Sequence, residues 1–308
     1  MPLLGTLVLP DAAAAETVTD ALRAVAPPVL SVEALLERDL EALEAQTALP
    51  AGAVAAFRRA VARLYAPLRN AAALRDDESL VETGCAAIDA LLGGGFRCGD
   101  VSEVVGPTTS GKTQLLLATA CRATERQRSV AWVDCGAASF SASRARQIGG
   151  RVDLIRVCSC VDAWSLLRAL DDAGRVLRAG DVCVVDAPAR VLTPNLGGER
   201  NPQGHQLLAL TTHALQTLAT KGVAVLVANS TSRGLSDGTE DEGSLFGQRW
   251  KAALGPVWST AASLRLALAA PRHGARRCAL AKAPDGSRGE AQFIVCDDGV
   301  ADMDGPAS

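Results

Sequence analysis

Aromatic residues are scarce: five Phe, four Trp and one Tyr make up 3% of 308 residues. That excludes a core built on rings and leaves Ala, the commonest residue, with Leu and Val to fill it. Basic charge is not in excess either, with 31 Lys and Arg against 34 Asp and Glu and a formal net charge of −3. A positive field over the whole molecule is excluded, so any contact with nucleic acid has to come from local patches. No apolar run approaches the roughly 20 residues of a membrane-spanning helix. The opening Leu3-Leu4-Gly5-Thr6-Leu7-Val8-Leu9 is apolar but lacks a positive segment before it, so no secretory leader is expected. The nine cysteines are scattered, mostly inside apolar runs such as Val182-Cys183-Val184. No pair has zinc-ribbon spacing, and Cys158-Ser159-Cys160 is a weak metal signal. The expectation is of reduced, buried thiols in a soluble intracellular protein. Internal repeats and low-complexity tracts are also missing.

Present instead is ordinary globular usage, 48% hydrophobic and 21% charged. The length predicts one large core with a small appendage. Residues 1–66 read as a helical N-terminal domain. Ser31 is placed to cap a helix carrying Val32, Leu35 and Leu36, with Leu40 and Leu43 continuing the apolar stripe. Val54, Phe57, Val61, Leu64 and Tyr65 then fall at helical spacing, opposite Arg58, Arg59 and Arg63. Residues 67–82 lack periodicity and hold the charged Arg75-Asp76-Asp77-Glu78, which makes them a linker. Across 83–308 strands alternate with helices. Strands are predicted over 101–105, 130–134, 154–157, 182–186, 223–229, 264–268, 278–281 and 292–296, and helices over 112–126, 163–177 and 206–218. Val-rich strands separated by helices predict an α/β fold with a mostly parallel sheet covered on both faces.

The strongest motif is Gly106-Pro107-Thr108-Thr109-Ser110-Gly111-Lys112-Thr113, a complete GxxxxGK[ST] phosphate loop between a predicted strand and a predicted helix. Glycines let backbone N–H groups wrap a β-phosphate. Lys112, the catalytic candidate, neutralises the β and γ oxygens, and the Thr113 hydroxyl ligates Mg²⁺. Asp186, ending the run Val182-Cys183-Val184-Val185, is the second candidate for the metal. ATP and Mg²⁺ are the cofactors these residues call for.

The stretch before the loop, Thr83-Gly84 and then Asp89-Ala90-Leu91-Leu92-Gly93-Gly94-Gly95, resembles the lead-in of RecA-type recombinases, and Gly111-Lys112-Thr113-Gln114 resembles their eukaryotic branch. Leu254-Gly255-Pro256-Val257-Trp258, Leu264-Arg265-Leu266 and Asp298-Gly299-Val300-Ala301-Asp302 are similar to that family's closing strands, so the resemblance spans residues 80–302. It implies a RecA-like P-loop NTPase core. It also implies that Arg144, in Ser143-Arg144, stacks on adenine. The paralogue branch implies a place in a hetero-oligomer that supports the recombinase filament in homologous-recombination repair of double-strand breaks. The partners it implies are the C-type and X-ray-repair type-two paralogues and single-stranded or branched DNA, bound weakly by the chain alone. It further implies a nuclear address, for which the chain carries no localisation cluster of its own.

Two departures bear on catalysis. Active members of the family carry a water-polarising glutamate two residues after the aspartate that ends the strand 130–134. Here Gly136 holds that place, within Asp134-Cys135-Gly136-Ala137-Ala138-Ser139-Phe140. Their γ-phosphate-sensing Asn-Gln pair is here Asn229-Ser230. Loss of both predicts ATP held with weak or absent turnover. The alternative, an autonomous DNA-dependent ATPase that exchanges strands, is disfavoured by the same residues. Of the two DNA-contacting loops the family implies, residues 187–204 offer Arg190 and Arg200, with His205 beside them. Residues 230–250 offer Arg233 and Arg249, with Lys251 beside them, but also Asp237, Glu240, Asp241 and Glu242, which would repel phosphates. Phe57-Arg58-Arg59-Ala60 imitates the family's polymerisation patch yet sits in a core helix. Arg272-His273-Gly274-Ala275-Arg276-Arg277 reads as a basic hairpin between strands, either a solvated turn or a basic contact with a partner subunit or DNA.

Overall fold

The computed structural model describes residues 4, 12–65, 80–136, 139–197, 202–232, 246, 251–271 and 274–303. The chain divides into two compact units, Met1–Asp77 and Glu78–Ser308. The first is helical over Ala12–Ala24, Val32–Glu37, Leu40–Gln46 and Ala53–Tyr65. Ser31 accepts from the Ala34 N–H at 3.2 Å, and Asp39 from the Ala42 N–H at 2.8 Å. Each hydroxyl or carboxylate satisfies a donor that the helix start leaves open. Leu22, Leu35, Leu43, Val54 and Val61 form the core, and Phe57 packs among them. Arg58, beside it, donates to the carbonyls of Leu36 and Arg38. The Phe57–Ala60 segment is therefore core, as its helical spacing predicts. The side chains of Arg63, Leu64 and Tyr65 lie outside the described residues.

The second unit begins earlier than expected. β1 (Leu80–Val81) pairs antiparallel with β2 (Phe96–Arg97), so the last residues assigned to the linker belong to a strand. The charge run at 75–78 hid this two-residue strand, whose Val81 is buried. The rest of the linker, up to residue 79, lies outside the described residues. The main strands are β3 (Val101–Gly106), β4 (Val130–Asp134), β5 (Ile155–Ser159), β6 (Val182–Asp186) and β7 (Ala224–Ser232). After them come β8 (Lys251–Ala252), β9 (Leu264–Leu268), β10 (Arg276–Lys282), β11 (Glu290–Cys296) and β12 (Gly299–Asp302). They make a ten-stranded sheet in the order β12-β11-β10-β9-β3-β7-β6-β4-β5, with β8 against β7. β9, β3, β7, β6, β4 and β5 run parallel, while β10, β11 and β12 alternate antiparallel.

The period of two along each strand splits the core into two layers. Val182 and Val184 face a layer with Trp132, Leu226 and Leu115–Leu117 of the helix Lys112–Glu125. Cys183 and Val185 face Leu166, Leu170 and Leu215 of the helices Ala163–Val176 and Pro202–Thr220. Both faces of β6 are buried, which is why it reads as an unbroken apolar run. The helix Ala86–Leu91 has no side-chain cap of its own; the Asp302 carboxylate supplies one from β12, accepting from the Ala86 and Ala87 N–H groups at 3.2 and 2.7 Å.

One carboxylate lies at the centre of the parallel sheet. Glu103 of β3, 1% exposed, accepts from Arg265 of β9 at 2.7 Å, from the Trp258 indole at 2.7 Å and from the Asn229 amide at 2.9 Å. Removing one partner of a buried ion pair leaves an uncompensated charge and costs about 3–5 kcal/mol. Arg265→Met is expected to lose stability on that scale in urea denaturation, and a loss below about 1 kcal/mol would show that the pair is not needed.

Candidate nucleotide-binding site

The carboxyl ends of β3, β4, β6 and β7 meet along one rim. Asp134 is the register partner of Asp186, Asp186 of Ala228, and Gly106 of Ser230. Open parallel sheets bind ligands at this rim. From β3 the chain turns through residues 107–111 into the helix Lys112–Glu125. A Cβ on Gly106 would stand 2.6 Å from the Leu268 carbonyl oxygen, so the loop lies flush on β9. Gly111 caps the helix at φ 102°, and a Cβ there would meet Arg276 at 2.9 Å. A side chain is excluded at both, which leaves backbone N–H groups lining the turn.

The Lys112 ammonium donates to the Gly106 and Pro107 carbonyls at 2.8 Å each. Burial draws its pKa down, against the pull of Asp186. The Ser110 hydroxyl is buried with no hydrogen-bond partner among the described residues. A partly desolvated cation, an orphaned hydroxyl and a cradle closed to Cβ atoms together fit a polyphosphate.

Across the loop, the Thr113 hydroxyl donates to Asp186 at 2.9 Å. Asp186 is 3% exposed. Burial pushes its carboxyl up; hydrogen bonds from Ser139 and Thr113 oppose this, Asp134 adds to it, and Lys112 works against it. A hydroxyl and a carboxylate are hard oxygen ligands of the kind Mg²⁺ takes, with phosphate oxygens completing its shell. Among the described residues no cluster of three or more His, Cys, Asp or Glu is placed to hold a metal unaided.

Asp134 is spent on its own turn, accepting from the Gly136 N–H at 2.7 Å, the Ser139 N–H at 2.7 Å and the Ser139 hydroxyl at 2.9 Å. No carboxylate stands at the place expected for a catalytic glutamate, and a Cβ on Gly136 would lie 3.1 Å from the Ser139 Cβ, so a side chain there needs Ser139 to shift by a few tenths of an ångström. Asn229 is fully buried and gives its amide to Glu103 at 2.9 Å and to the Ala253 carbonyl at 3.1 Å. That amide is committed to these two partners.

Arg144, on the helix Ala142–Gln147, donates to the Gln114 side chain at 3.2 Å. This places it one residue from Thr113 along the loop helix, but its guanidinium is also bonded to the Cys296 and Asp297 carbonyls. Residues 187–204 are less of a loop than expected: Ala189–Leu192 is a helical turn, and the next helix starts at Pro202. Arg190 donates to the Gly136 carbonyl at 3.0 Å, His205 is exposed, and Arg200 lies outside the described residues. Beyond Ser232, Arg233, Asp237, Glu240, Asp241, Glu242 and Arg249 also lie outside them, as do Arg272, His273 and the side chain of Lys251. Arg277 pairs with Glu290 at 2.6 Å. Sequence reasoning missed Ser139, which donates to Asp134, and placed Arg276 in a hairpin turn without its position behind Gly111. Asp134 had a readable signal, since it ends its strand as Asp186 ends its own.

The Rad51 family model matches residues 75–303. DNA repair protein RAD51 homolog 4 of Bos taurus is 31% identical over 266 residues, covering 78% of this chain and 78% of that protein. DNA repair and recombination protein RadB of Halobacterium salinarum is 27% identical over 238 residues, covering 74% of this chain and 97% of that protein.

The raised Asp186 carboxyl carries a sign for stability. A carboxyl that holds its proton more tightly in the folded than in the unfolded chain costs stability at any pH above its unfolded pKa, neutral pH included. Asp186→Asn is therefore expected to raise the melting midpoint of the nucleotide-free chain at pH 7. The gain should shrink as pH falls and the wild-type carboxyl protonates. Calorimetry without Mg²⁺ checks this, and a lower midpoint at pH 7 would refute it.

Proposed function

The chain belongs to the Rad51 family, whose members bind ATP with Mg²⁺, and on that premise we propose that it is an ATP-binding recombinase paralogue of DNA repair that holds its nucleotide rather than turning it over quickly. Residues 106–111 would wrap the β-phosphate with backbone N–H groups, and Lys112 would trade its two carbonyl partners for β and γ oxygens. Thr113 and Asp186 would hold Mg²⁺, which when bound neutralises charge on the phosphate oxygens. Arg144 would keep the adenine end only by loosening its grip on the 296–297 turn.

The observation that carries the reading is the pairing of a complete phosphate cradle with a blank water-positioning side. Gly136 brings no carboxylate, a side chain there needs Ser139 to shift, and Asn229 is committed to Glu103. Slow turnover of a bound nucleotide suits a subunit of an assembly. A ligand that prefers the assembled state strengthens assembly in equal measure. The relatives named for DNA repair support a role in recombination. On this reading the chain would act with other recombinase paralogues, the C type and the X-ray-repair type two, in the nucleus. DNA contact would be weak in the isolated chain, through Arg190 and the residues after it.

The test measures Mg-ATP binding and turnover together on the purified chain, with and without single-stranded DNA. Lys112→Ala is expected to weaken binding at least about tenfold, roughly 1.4 kcal/mol. Wild-type turnover should stay low with DNA present. Fast, DNA-stimulated hydrolysis would overturn the reading and bring the autonomous ATPase forward. Gly136→Glu alone is expected not to restore fast hydrolysis, because the Asn229 amide stays committed to Glu103.

A further inference from the structure

At the open edge of the parallel sheet three thiols converge that the nucleotide site does not use. β5 ends the sheet, and its pairing with β4 sets Val133 opposite Cys158 and Asp134 opposite Ser159. Cys135 and Cys160 follow at once, so the same register carries them side by side. Both are buried in the layer under the helices Ala163–Val176 and Pro202–Thr220. The strand period of two brings Cys158 to the same side as Cys160. The Cys160 N–H donates to the Asp134 carbonyl at 2.8 Å, which carries the pairing one residue past the strands and holds Cys135 and Cys160 level. All three cysteines are free, and Cys158 is exposed.

We propose that this cluster is a site of oxidation by hydroperoxides, which closes it into an intramolecular Cys135–Cys160 disulfide. Of the two buried thiols, Cys160 follows the edge strand β5 and Cys135 the inner strand β4, so Cys160 is the sulfur that meets the oxidant. Hydrogen bonds from Cys135 first, then Cys158 and Ser165, draw its thiol below the ordinary range in spite of burial. The thiolate is the nucleophilic form. Cys160 is buried, but Cys158 on the same side is exposed, so a small peroxide enters past Cys158 from the edge of β5. The thiolate attacks one peroxide oxygen, the O–O bond breaks, and a water or alcohol leaves behind a sulfenic acid. The Cys135 sulfur then attacks Cys160, the S–S bond forms, and the hydroxyl departs as water with the Cys135 proton. Two thiols give up two electrons and two protons, and hydrogen peroxide is reduced to two waters.

Geometry decides between the two resolving thiols. Neighbouring strands stand about 4.8 Å apart, whereas residues two apart on one strand are separated by roughly 6.6 Å. Disulfides span Cα separations of about 4.4–6.8 Å, so Cys135 falls inside the range and Cys158 at its limit. A Cys158–Cys160 bond would be strained and would pass to Cys135 by exchange.

The experiment exposes the purified full-length chain to graded hydrogen peroxide, alkylates the remaining thiols and reads intact mass and cross-linked peptides. The expected product has lost two hydrogens, carries two fewer alkylated thiols, links the peptides of Cys135 and Cys160, and reverts with a thiol reductant. Cys160→Ser should lower its yield at least about tenfold, and Cys158→Ser should leave it intact. A stable cross-link through Cys158, hyperoxidation without any cross-link, or a Cys135–Cys160 product that requires Cys158 would each overturn the assignment. Peptide mapping of the wild-type chain decides the pairing even where a variant fails to fold.

Discussion

The carboxylate of Glu103 is the point about which the core unit is organised. A charged group in the middle strand of a sheet is costly to bury, and here it is matched on every side that matters. Arg265 ties it to β9, Asn229 to β7, and Trp258 to the short helix Gly255–Ser259. These bonds set β3 between β7 and β9, and the register of that trio carries Gly106 to the rim beside Ser230. The phosphate loop inherits its position from a network that begins three residues before it on β3. The same network consumes Asn229, so rigidity of the sheet and silence of that side chain at the rim have one origin.

At the rim the electrostatics run the other way. Lys112, Asp134 and Asp186 are crowded and partly or wholly desolvated, and burial opposes the charged forms of Lys112 and Asp186. Internal donors hold the aspartates in place without removing that penalty. Sites that must receive strong charges are commonly left strained in this way. Asp134 differs in having its oxygens occupied by its own turn, which makes it a brace for the neighbouring loop.

Much of this was legible. The Val-rich runs marked β3, β4, β6 and β7 because strands buried on both faces must be apolar throughout. The phosphate loop was legible because its glycines answer to backbone geometry rather than to distant partners. Thr113 and Asp186 were assigned separately, and the fold joins them by one hydrogen bond. What sequence could not show were long-range commitments. Nothing near Asn229 announces Glu103, 126 residues away. Ser139 reads as an ordinary loop serine until Asp134 and Asp186 stand side by side. The strand Leu80–Val81 was hidden because two residues carry no period and charges precede them. Arg144 has an identity that fits adenine stacking, but its bonds to the 296–297 carbonyls are invisible in a local motif.

The borrowed cap on the helix Ala86–Leu91 has a consequence for how the core is born. Its two open N–H donors wait for a carboxylate that lies 216 and 215 residues further on. At a synthesis speed of about 5–20 residues per second, this helix leaves the ribosome at least ten seconds or so before its cap exists. The sheet is closed by β12 at the same moment. During that interval the nascent core is exposed to chaperones and to mispairing, and it clicks shut only when its last strand arrives.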